Sequence, residues 1–214
     1  MSKTLKIALF GATGMVGSRI AAEAARRGHQ VSALVRQPER VAAAPNVHAA
    51  KADLLDAASV AAAVRGHDVV ASAYAPPKDQ LGDLLVASRA LVEGVRAAGL
   101  KRLVVVGGAG SLEVAPGKQL VDTEGFPDAY KAIALAHREA FDYYRTVTDI
   151  DWTFFAPAAI IAPGERTGTF RTGATSLIAD AKGESRISAE DYAIAFVDEL
   201  EQDRFIRQIT TVAY

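Results

Sequence analysis

Three glycines that follow a short apolar run near the start of the chain constrain the fold more than any other feature. The run Leu5–Phe10 has the composition of a buried strand, and Gly11, Gly14 and Gly17 come after it. An alanine-rich pattern of helical period then begins. In a strand–turn–helix unit the first glycine permits a tight turn, the second lets the backbone approach a pyrophosphate, and the third lets the helix pack closely. This order predicts a dinucleotide-binding turn, although glycines also occur in ordinary turns between a strand and a helix.

We expect the phosphates of the dinucleotide to contact this turn and the first residues of the helix. The N-terminus of a helix offers unpaired N–H groups and a partial positive charge to an anion. The residues predicted to bind the cofactor here are Gly11, Thr13, Gly14, Met15, Val16 and Gly17.

Strand-like and helix-like segments alternate along the whole chain. Strands are predicted at Leu5–Phe10, Val31–Val35, Val47–Ala50, Val69–Ala73, Leu103–Val106, Trp152–Phe155 and Ile209–Val212. Helices are predicted at Val16–Arg27, Ala57–Val64, Leu81–Ala98, Ala129–Arg145 and Ala189–Glu201. Because parallel strands need crossover helices, the alternation predicts a single-domain Rossmann fold over residues 1–214, with a doubly wound, mostly parallel sheet and helices on both faces. The irregular segment at about 156–186 is expected on the substrate side.

Composition and charge exclude several classes of function. The chain has no cysteine, which excludes disulfides and thiolate catalysis, and its formal net charge of −1 gives no attraction for nucleic acid. The four histidines do not form a cluster, so no metal site is predicted. No apolar run approaches the ~20 residues of a membrane span, and Met1–Lys3 leaves no room for a signal peptide. We expect a cytoplasmic monomer or homodimer that acts on a small molecule and has no membrane partner.

Arg36, at the end of the second predicted strand, predicts which dinucleotide is preferred. An acid at this position accepts hydrogen bonds from the ribose hydroxyls of NAD, whereas an arginine pairs with the 2′-phosphate of NADP. Arg36 therefore favours NADP(H), with NAD(H) still possible, and Arg40 is a second candidate for the phosphate. The alternative is that Arg36 is solvated at a turn before Pro38 and that Glu39 reaches the ribose.

Residues after the later strands are expected to line one cleft with the glycine turn and Arg36. Ligands of open α/β sheets bind at the carboxyl ends of the strands, where these residues lie. Asp53 can accept from the adenine amino group beside an apolar wall formed by Leu54. Alternatively, Asp53 or Asp56 is the N-cap of the next helix. Tyr74 is either a cofactor contact or a core aromatic, and Pro157 either covers the nicotinamide or simply ends its strand. The remaining predicted cofactor contacts are Ala73 and Gly107.

Several segments together resemble the atypical short-chain dehydrogenase/reductases. The segments that carry the resemblance are Gly11–Gly17, Arg36, Ala52–Leu54, Gly107–Ser111, Asp151–Ala158, Pro163–Gly168 and Ser185–Ala193. Within this group the chain is most similar to NAD(P)H-binding proteins known as NADH–flavin reductases, which are related to biliverdin reductase B and to the NmrA-like regulators. The resemblance implies an NADPH-dependent reductase for which flavin, or a similar flat acceptor such as a quinone, is a substrate rather than a bound cofactor.

The resemblance also defines the candidate catalytic residues. Tyr130 matches the tyrosine of the Tyr-x-x-x-Lys pair of classical members, but Ala134 stands where the lysine is expected. Ser111 matches the active-site serine of the superfamily; the alternative is a loop or cap serine. His137 lies near the same helix face as Tyr130 and is either a general acid or a surface or hydrogen-bonded histidine. The predicted catalytic set is therefore Ser111, Tyr130 and His137.

The departure from the classical pair favours hydride transfer to a flavin. Such a transfer needs stacked rings more than a tuned protein acid, because solvent can supply the proton. The alternative function is a non-enzymatic NADP(H)-binding redox sensor of the NmrA type. Arg166 and Arg171, in the irregular segment, are expected either to meet an acidic substrate or a flavin phosphate, or to be solvated.

Overall fold

The computed structural model describes residues 3–214, and one central sheet of eight strands organises them. The first part of the chain forms β1 (Lys6–Phe10), α1 (Met15–Arg26), β2 (Gln30–Val35), β3 (Val47–Lys51), α2 (Ala57–Val64), β4 (Val69–Ser72), α3 (Asp83–Ala97) and β5 (Arg102–Val106). The second part forms β6 (Glu113–Ala115), β7 (Lys118–Gln119), α4 (Asp128–Arg145), β8 (Asp151–Ala156), β9 (Ile160–Ala162), β10 (Arg171–Gly173), β11 (Arg186–Ser188), α5 (Ala189–Gln202) and β12 (Gln208–Ala213).

The strand order of the sheet is β10-β12-β8-β5-β4-β1-β2-β3. Neighbouring strands are parallel except for β10, which pairs antiparallel with β12 at one edge. The chain runs outward from β1 to β3, returns to β4 beside β1, and then continues to the other edge. This doubly wound order creates a crevice at the carboxyl ends of β1 and β4, and it confirms the predicted Rossmann fold.

Two buried clusters, one on each face of the sheet, hold the helices in place. Phe154 and Phe155 are neighbours in β8, and because strand side chains alternate, they enter opposite clusters. The cluster that contains Phe154 includes residues of α2, α3 and α4, whereas the cluster that contains Phe155 includes residues of α1 and α5. Helices therefore cover both faces, as the sequence predicts.

The segment predicted to be irregular contains short strands that the sequence pattern does not show. Within it, β9 pairs in parallel with β11, and β10 extends the main sheet by pairing with β12. The carboxylate of Asp191 accepts hydrogen bonds from Gly168 N at 2.8 Å and from the hydroxyl of Tyr214 at 2.9 Å. The segment is thus attached to the start of α5 and to the end of the described chain.

Candidate functional site

The glycine turn between β1 and α1 is shaped by close backbone contacts. Gly11 has a φ of 77°, in the left-handed region, and a Cβ there would lie 2.5 Å from the carbonyl oxygen of Ala73. A Cβ on Gly17 would lie 2.1 Å from the carbonyl oxygen of Gly11. At Gly14 the nearest heavy atom to a Cβ would be 3.5 Å away, which is an ordinary contact. The protein's own packing therefore requires glycine at Gly11 and Gly17, whereas the space beside Gly14 is open to a ligand.

Helix α1 presents its N-terminus to this open space. Gly14 is the N-cap and supplies no capping side chain, and the first backbone hydrogen bond of the helix runs from Ser18 N to Gly14 O at 3.0 Å. The N–H groups of Met15, Val16 and Gly17 precede that bond and have no partner within the helix. They are suited to receive a phosphate, with the helix dipole adding a favourable field.

A groove extends from the turn across the ends of β1, β2 and β4 and the start of the loop after β3. It brings together Gly11, Thr13, Gly14, Arg36, Asp53, Leu54, Ala73 and Tyr74 of the predicted cofactor contacts, with Phe10, Leu34, Val35, Ala52, Leu55 and Ala75. These residues belong to four separate segments of the sequence, which meet because the carboxyl ends of parallel strands share one edge.

Three cations surround the part of the groove beside β2 and β3. Arg36, Arg40 and Lys51 are all exposed, and they line a common recess with Thr13 and Asp53. The sequence analysis missed Lys51. The parallel register pairs Val35 with Lys51, so Lys51 lies beside the strand end that carries Arg36. A basic residue at the end of the third predicted strand is the signal that identifies it.

The two aspartates after β3 have different roles. Asp56 is the N-cap of α2, and its carboxylate accepts from Ala58 N at 2.9 Å. Asp53 Oδ1 accepts from Leu55 N at 3.0 Å, which closes a local turn, while Asp53 itself lines the groove. The N-cap alternative is therefore confirmed for Asp56, and Asp53 faces the groove.

The glycine run after β5 packs against α4 and β8. A Cβ on Gly107 would lie 2.3 Å from the ring of Phe154, and one on Gly108 would lie 2.7 Å from Cβ of His137. A Cβ on Gly110 would lie 2.9 Å from Cβ of Ala134. Gly107 is thus required by packing. Neither Gly107 nor Pro157, which is buried, belongs to the lining of the groove.

Tyr74 lines both the groove and a small neighbouring cavity. The cavity has a volume of about 20 Å³ and lies between α3, α4 and the sheet, with Ser72, Tyr74, Ser88, His137, Tyr144 and Phe154 in its lining. Burial raises the pKa of the Tyr74 phenol, and the charge of nearby Asp83 acts in the same direction. Tyr74 therefore stays protonated at neutral pH.

The three predicted catalytic residues do not share the groove. Ser111 is buried, and within residues 3–214 its Oγ has no hydrogen-bond partner. Tyr130 is 64% exposed, in the first turn of α4. His137 keeps some exposed surface, but its Nδ1 is shielded from solvent and also has no partner in the described range. Burial lowers the pKa of His137 to about 4, so the ring is neutral at pH 7 and the general-acid role predicted for it is not supported.

The two arginines of the irregular segment bind the protein itself. Arg166 makes two hydrogen bonds of 3.1 Å to the carboxylate of Glu23 in α1. Arg171 donates to the carbonyl oxygens of Ala179, at 3.0 Å, and Tyr214. Neither guanidinium is simply solvated, because both have partners that fix the segment. A contact of either arginine with a substrate stays a prediction.

Residues 3–214 contain neither a cluster of metal ligands nor a helix that could span a membrane. No group of three or more histidine or acidic side chains in this range is arranged to hold a metal ion. None of the helices in the same range is long and apolar enough to cross a membrane.

A glycine turn at the switch point of a doubly wound sheet, with an open helix N-terminus and a basic recess beside it, defines a dinucleotide-binding Rossmann protein. A family model described as NAD(P)H-binding matches residues 11–203. The chain therefore belongs to the NAD(P)H-binding family, which confirms the predicted resemblance to the atypical short-chain dehydrogenase/reductases.

Three solved structures share nearly the whole chain. A "putative exported protein" from Burkholderia pseudomallei is 70% identical, with a TM-score of 0.93 over 99% of this chain and 100% of that chain. A "putative epimerase" from Bacteroides thetaiotaomicron is 39% identical, with a TM-score of 0.92 over 99% and 98%. A "putative NADH-flavin reductase" from Streptococcus pneumoniae TIGR4 is 34% identical, with a TM-score of 0.89 over 98% and 99%. The fold is common to all three. The names of the second and third give different reactions, and the name of the first gives none.

Proposed function

We propose that this protein is an NADPH-dependent oxidoreductase that transfers a hydride to a flavin or to a similar flat conjugated acceptor such as a quinone. The observation that carries the proposal is the environment of α4, where carbonyl-reducing relatives of the superfamily place a tyrosine–lysine pair. Ala134 occupies the lysine position and packs against Gly110. A flavin acceptor does not require the pair, because the protein has only to bind and orient the two rings.

The nearby titratable groups support a reaction without a protein acid. Lys131 Nζ donates to the carbonyl oxygen of Val121 and lies 5.6 Å from the ring centre of Phe126, so this ammonium group already has partners. His137 is neutral at pH 7 because burial lowers its pKa to about 4. NADPH, when bound, supplies the hydride, and water can supply any proton that the reduced acceptor takes up.

The residues of the groove account for how the chain would hold NADPH. The N–H groups at the start of α1 would receive the pyrophosphate beside Gly14, where a Cβ would have no heavy atom closer than 3.5 Å. Asp53 and Leu54 would contact the adenine, since both line the groove. Tyr74 would lie toward the nicotinamide, at the carboxyl end of β4.

The charge of the recess favours NADPH over NADH. Arg36, Arg40 and Lys51 face one carboxylate, that of Asp53, in the same recess. A 2′-phosphate carries close to two negative charges at neutral pH and can form charge-assisted hydrogen bonds with such cations. A free 2′-hydroxyl would leave the positive charge of the recess in excess over the single carboxylate of Asp53.

The test is steady-state oxidation of NADPH with FMN, FAD, riboflavin and a soluble quinone as acceptors. Turnover on the order of 1 per second or faster with any of them supports the proposal. Gly14→Ala, which is expected to fold but to bind NADPH weakly, is the control. Oxidation of NADPH that persists in this variant is a background reaction that does not need bound dinucleotide. Tight binding of NADPH without oxidation by any acceptor would overturn the enzymatic proposal and favour the NADP(H)-binding sensor.

A further inference from the structure

One face of α4 continues past the point where the sheet ends. Tyr130, Ala134, His137, Phe141 and Tyr144 follow one another at spacings of three or four residues, so they form one stripe along the helix. Ala134, Phe141 and Tyr144 are buried at 6%, 9% and 1% exposure, whereas Tyr130 is 64% exposed. The stripe therefore packs on the sheet along most of its length and becomes free at Tyr130.

The position of Tyr130 in the fold follows from its neighbours in the stripe. Helix α4 connects the parallel strands β5 and β8, so it begins at their carboxyl edge. Ala134 packs against Gly110, in the run that follows β5. Tyr130 is about one helical turn, ~5 Å, nearer the start of the helix, so it extends beyond that run on the edge at which ligands of such sheets bind.

Exposed apolar side chains concentrate at this same edge. Five other large hydrophobic residues are exposed in segments that follow the main strands: Met15, Val86, Val114, Ile160 and Tyr214. Met15 and Val86 lie in the first turns of α1 and α3, Tyr214 follows β12, and the other two lie in the short strands β6 and β9, which come after β5 and β8. Val114 belongs to β6, which comes directly after the turn that holds Ser111. Leu135, at 37% exposure, lies lower on α4 and is the exception.

We propose that Tyr130 binds the hydride acceptor through the face of its ring, and that its hydroxyl is not the proton donor of the reaction. The inference rests on the proposed function and names the residue that would contact the flat acceptor. A flat conjugated ring gains from stacking on an exposed aromatic side chain, and the stacked arrangement also orients it. A proton-donating role lacks the lysine that would assist it, since Ala134 stands at that position.

The experiment compares Tyr130→Phe with Tyr130→Ala, and uses Leu135→Ala as the matched control. The acceptor is riboflavin, which carries no phosphate and therefore reports on ring contacts. Tyr130→Phe should keep both kcat and the KM for riboflavin within about twofold. Tyr130→Ala should raise that KM about fivefold to tenfold and leave the KM for NADPH unchanged. Leu135→Ala should leave every constant unchanged.

Two kinetic results would overturn the inference. A loss of kcat of about 100-fold in Tyr130→Phe, with a changed pH profile, would identify the hydroxyl as the acid. An unchanged KM for riboflavin in Tyr130→Ala would show that the ring makes no contact.

A binding measurement separates this inference from the proposed function. Riboflavin fluorescence is titrated with each variant in the presence of NADP⁺, which permits binding without turnover. If the original protein quenches riboflavin fluorescence and Tyr130→Ala quenches it less, the ring contact is supported. This holds even where no acceptor is reduced. Equal titration curves for the two proteins, or no quenching by either, would overturn it.

Discussion

A Cβ placed on Gly17 would lie 2.1 Å from the carbonyl oxygen of Gly11, whereas a Cβ placed on Gly14 would approach the same atom only to 3.5 Å. The two glycines belong to one turn, yet they have different physical roles. Gly17 permits α1 to pack against the turn, so it serves the fold. Gly14 borders the space in front of the helix N-terminus, so it serves the ligand.

Gly14→Ala should therefore separate cofactor binding from stability. The backbone of Gly14, with φ −78° and ψ 169°, suits alanine, and the loss of a glycine N-cap costs less than about 1 kcal/mol. The added methyl group would occupy space that the pyrophosphate needs, so we expect affinity for NADPH to fall by at least tenfold. Isothermal titration measures the affinity, and thermal unfolding measures the stability.

Gly17→Ala is the contrasting variant. Its Cβ would collide with backbone atoms, which cannot rotate away, so we expect a loss of about 1–3 kcal/mol or more in the free energy of unfolding. Equal stability of the two variants would contradict the division of roles between Gly14 and Gly17.

Arg36→Ala and Lys51→Ala should weaken NADPH far more than NADH. Each side chain lines the recess expected to hold the 2′-phosphate, and hydrogen bonds to charged groups contribute about 1.5–3 kcal/mol. We therefore expect the Kd for NADPH to rise about tenfold or more in each variant, with less than a threefold change for NADH. Fluorescence titration with both dinucleotides checks this.

Lys118→Ala, at an exposed position in β7, is the control for general loss of positive charge. Equal losses for NADPH and NADH in Arg36→Ala would show that this side chain does not recognise the phosphate. An unchanged Kd for NADPH in Lys51→Ala would show that Lys51 does not bind the phosphate, and it would leave the role of Arg36 untouched.

The sequence predicts the parts of this fold that depend on local pattern. The apolar run that becomes β1, the glycine turn and the capping aspartate Asp56 can all be recognised from neighbouring residues. The partnership of β9 with β11 cannot, because it joins Ile160–Ala162 to Arg186–Ser188, two short segments far apart in the chain. A strand of three residues is too short to show alternation.

The same distinction applies to the site. The groove residues are predictable, since strand ends of a parallel sheet converge at one edge. The position of Lys51 beside Arg36 depends on the register between β2 and β3. The lowered pKa of His137 depends on its burial between helix and sheet. The partner of Arg166 depends on how a loop folds back onto α1. Of these three features, only Lys51 has a local signal, which is its place at the end of a predicted strand. The other two cannot be inferred from nearby residues.

His137 should make the stability of the protein depend on pH between about 6.5 and 4. Burial lowers the pKa of its imidazole from 6.5 to about 4 in the folded state, so the unfolded state binds more protons in this window. The stabilisation is fully present above pH 6.5 and is lost as the pH falls toward 4, by at most about 3 kcal/mol. Urea unfolding at pH 7, 6 and 5 measures the slope.

His137→Asn removes the titrating ring. The free energy of unfolding of this variant should therefore fall less steeply than that of the original protein as the pH is lowered from 6.5 to 4. His48→Asn, at an exposed position of β3, controls for the loss of an imidazole elsewhere. Equal slopes for the original protein and His137→Asn would show that the ring is not held neutral by burial.

Arg166→Gln should loosen the segment after β9 without unfolding the sheet. Burial by itself raises the pKa of Glu23, but hydrogen bonds from Arg26, Arg166 and Arg27 outweigh it and lower the pKa to about 2. With Arg166 removed, the two helix arginines still neutralise the carboxylate, so α1 keeps its packing. The ion pair between the segment and α1 is lost, and we expect amide hydrogen exchange at 164–168 to become about threefold to fivefold faster, as for a partly exposed ion pair.

The control for this variant is Arg186→Gln, whose guanidinium lies 3.9 Å from Glu184 and is 63% exposed. Because the pKa of Glu23 falls from 4.5 to about 2 on folding, its ionised form stabilises the protein above pH 4.5, and that stabilisation is lost as the pH falls toward 2. The difference in exchange between the original protein and Arg166→Gln should therefore persist at pH 4 and diminish toward pH 2. Identical exchange at pH 7 would mean that the hydrogen bonds with Ser188, Glu190 and Asp191 hold the segment in place without Arg166.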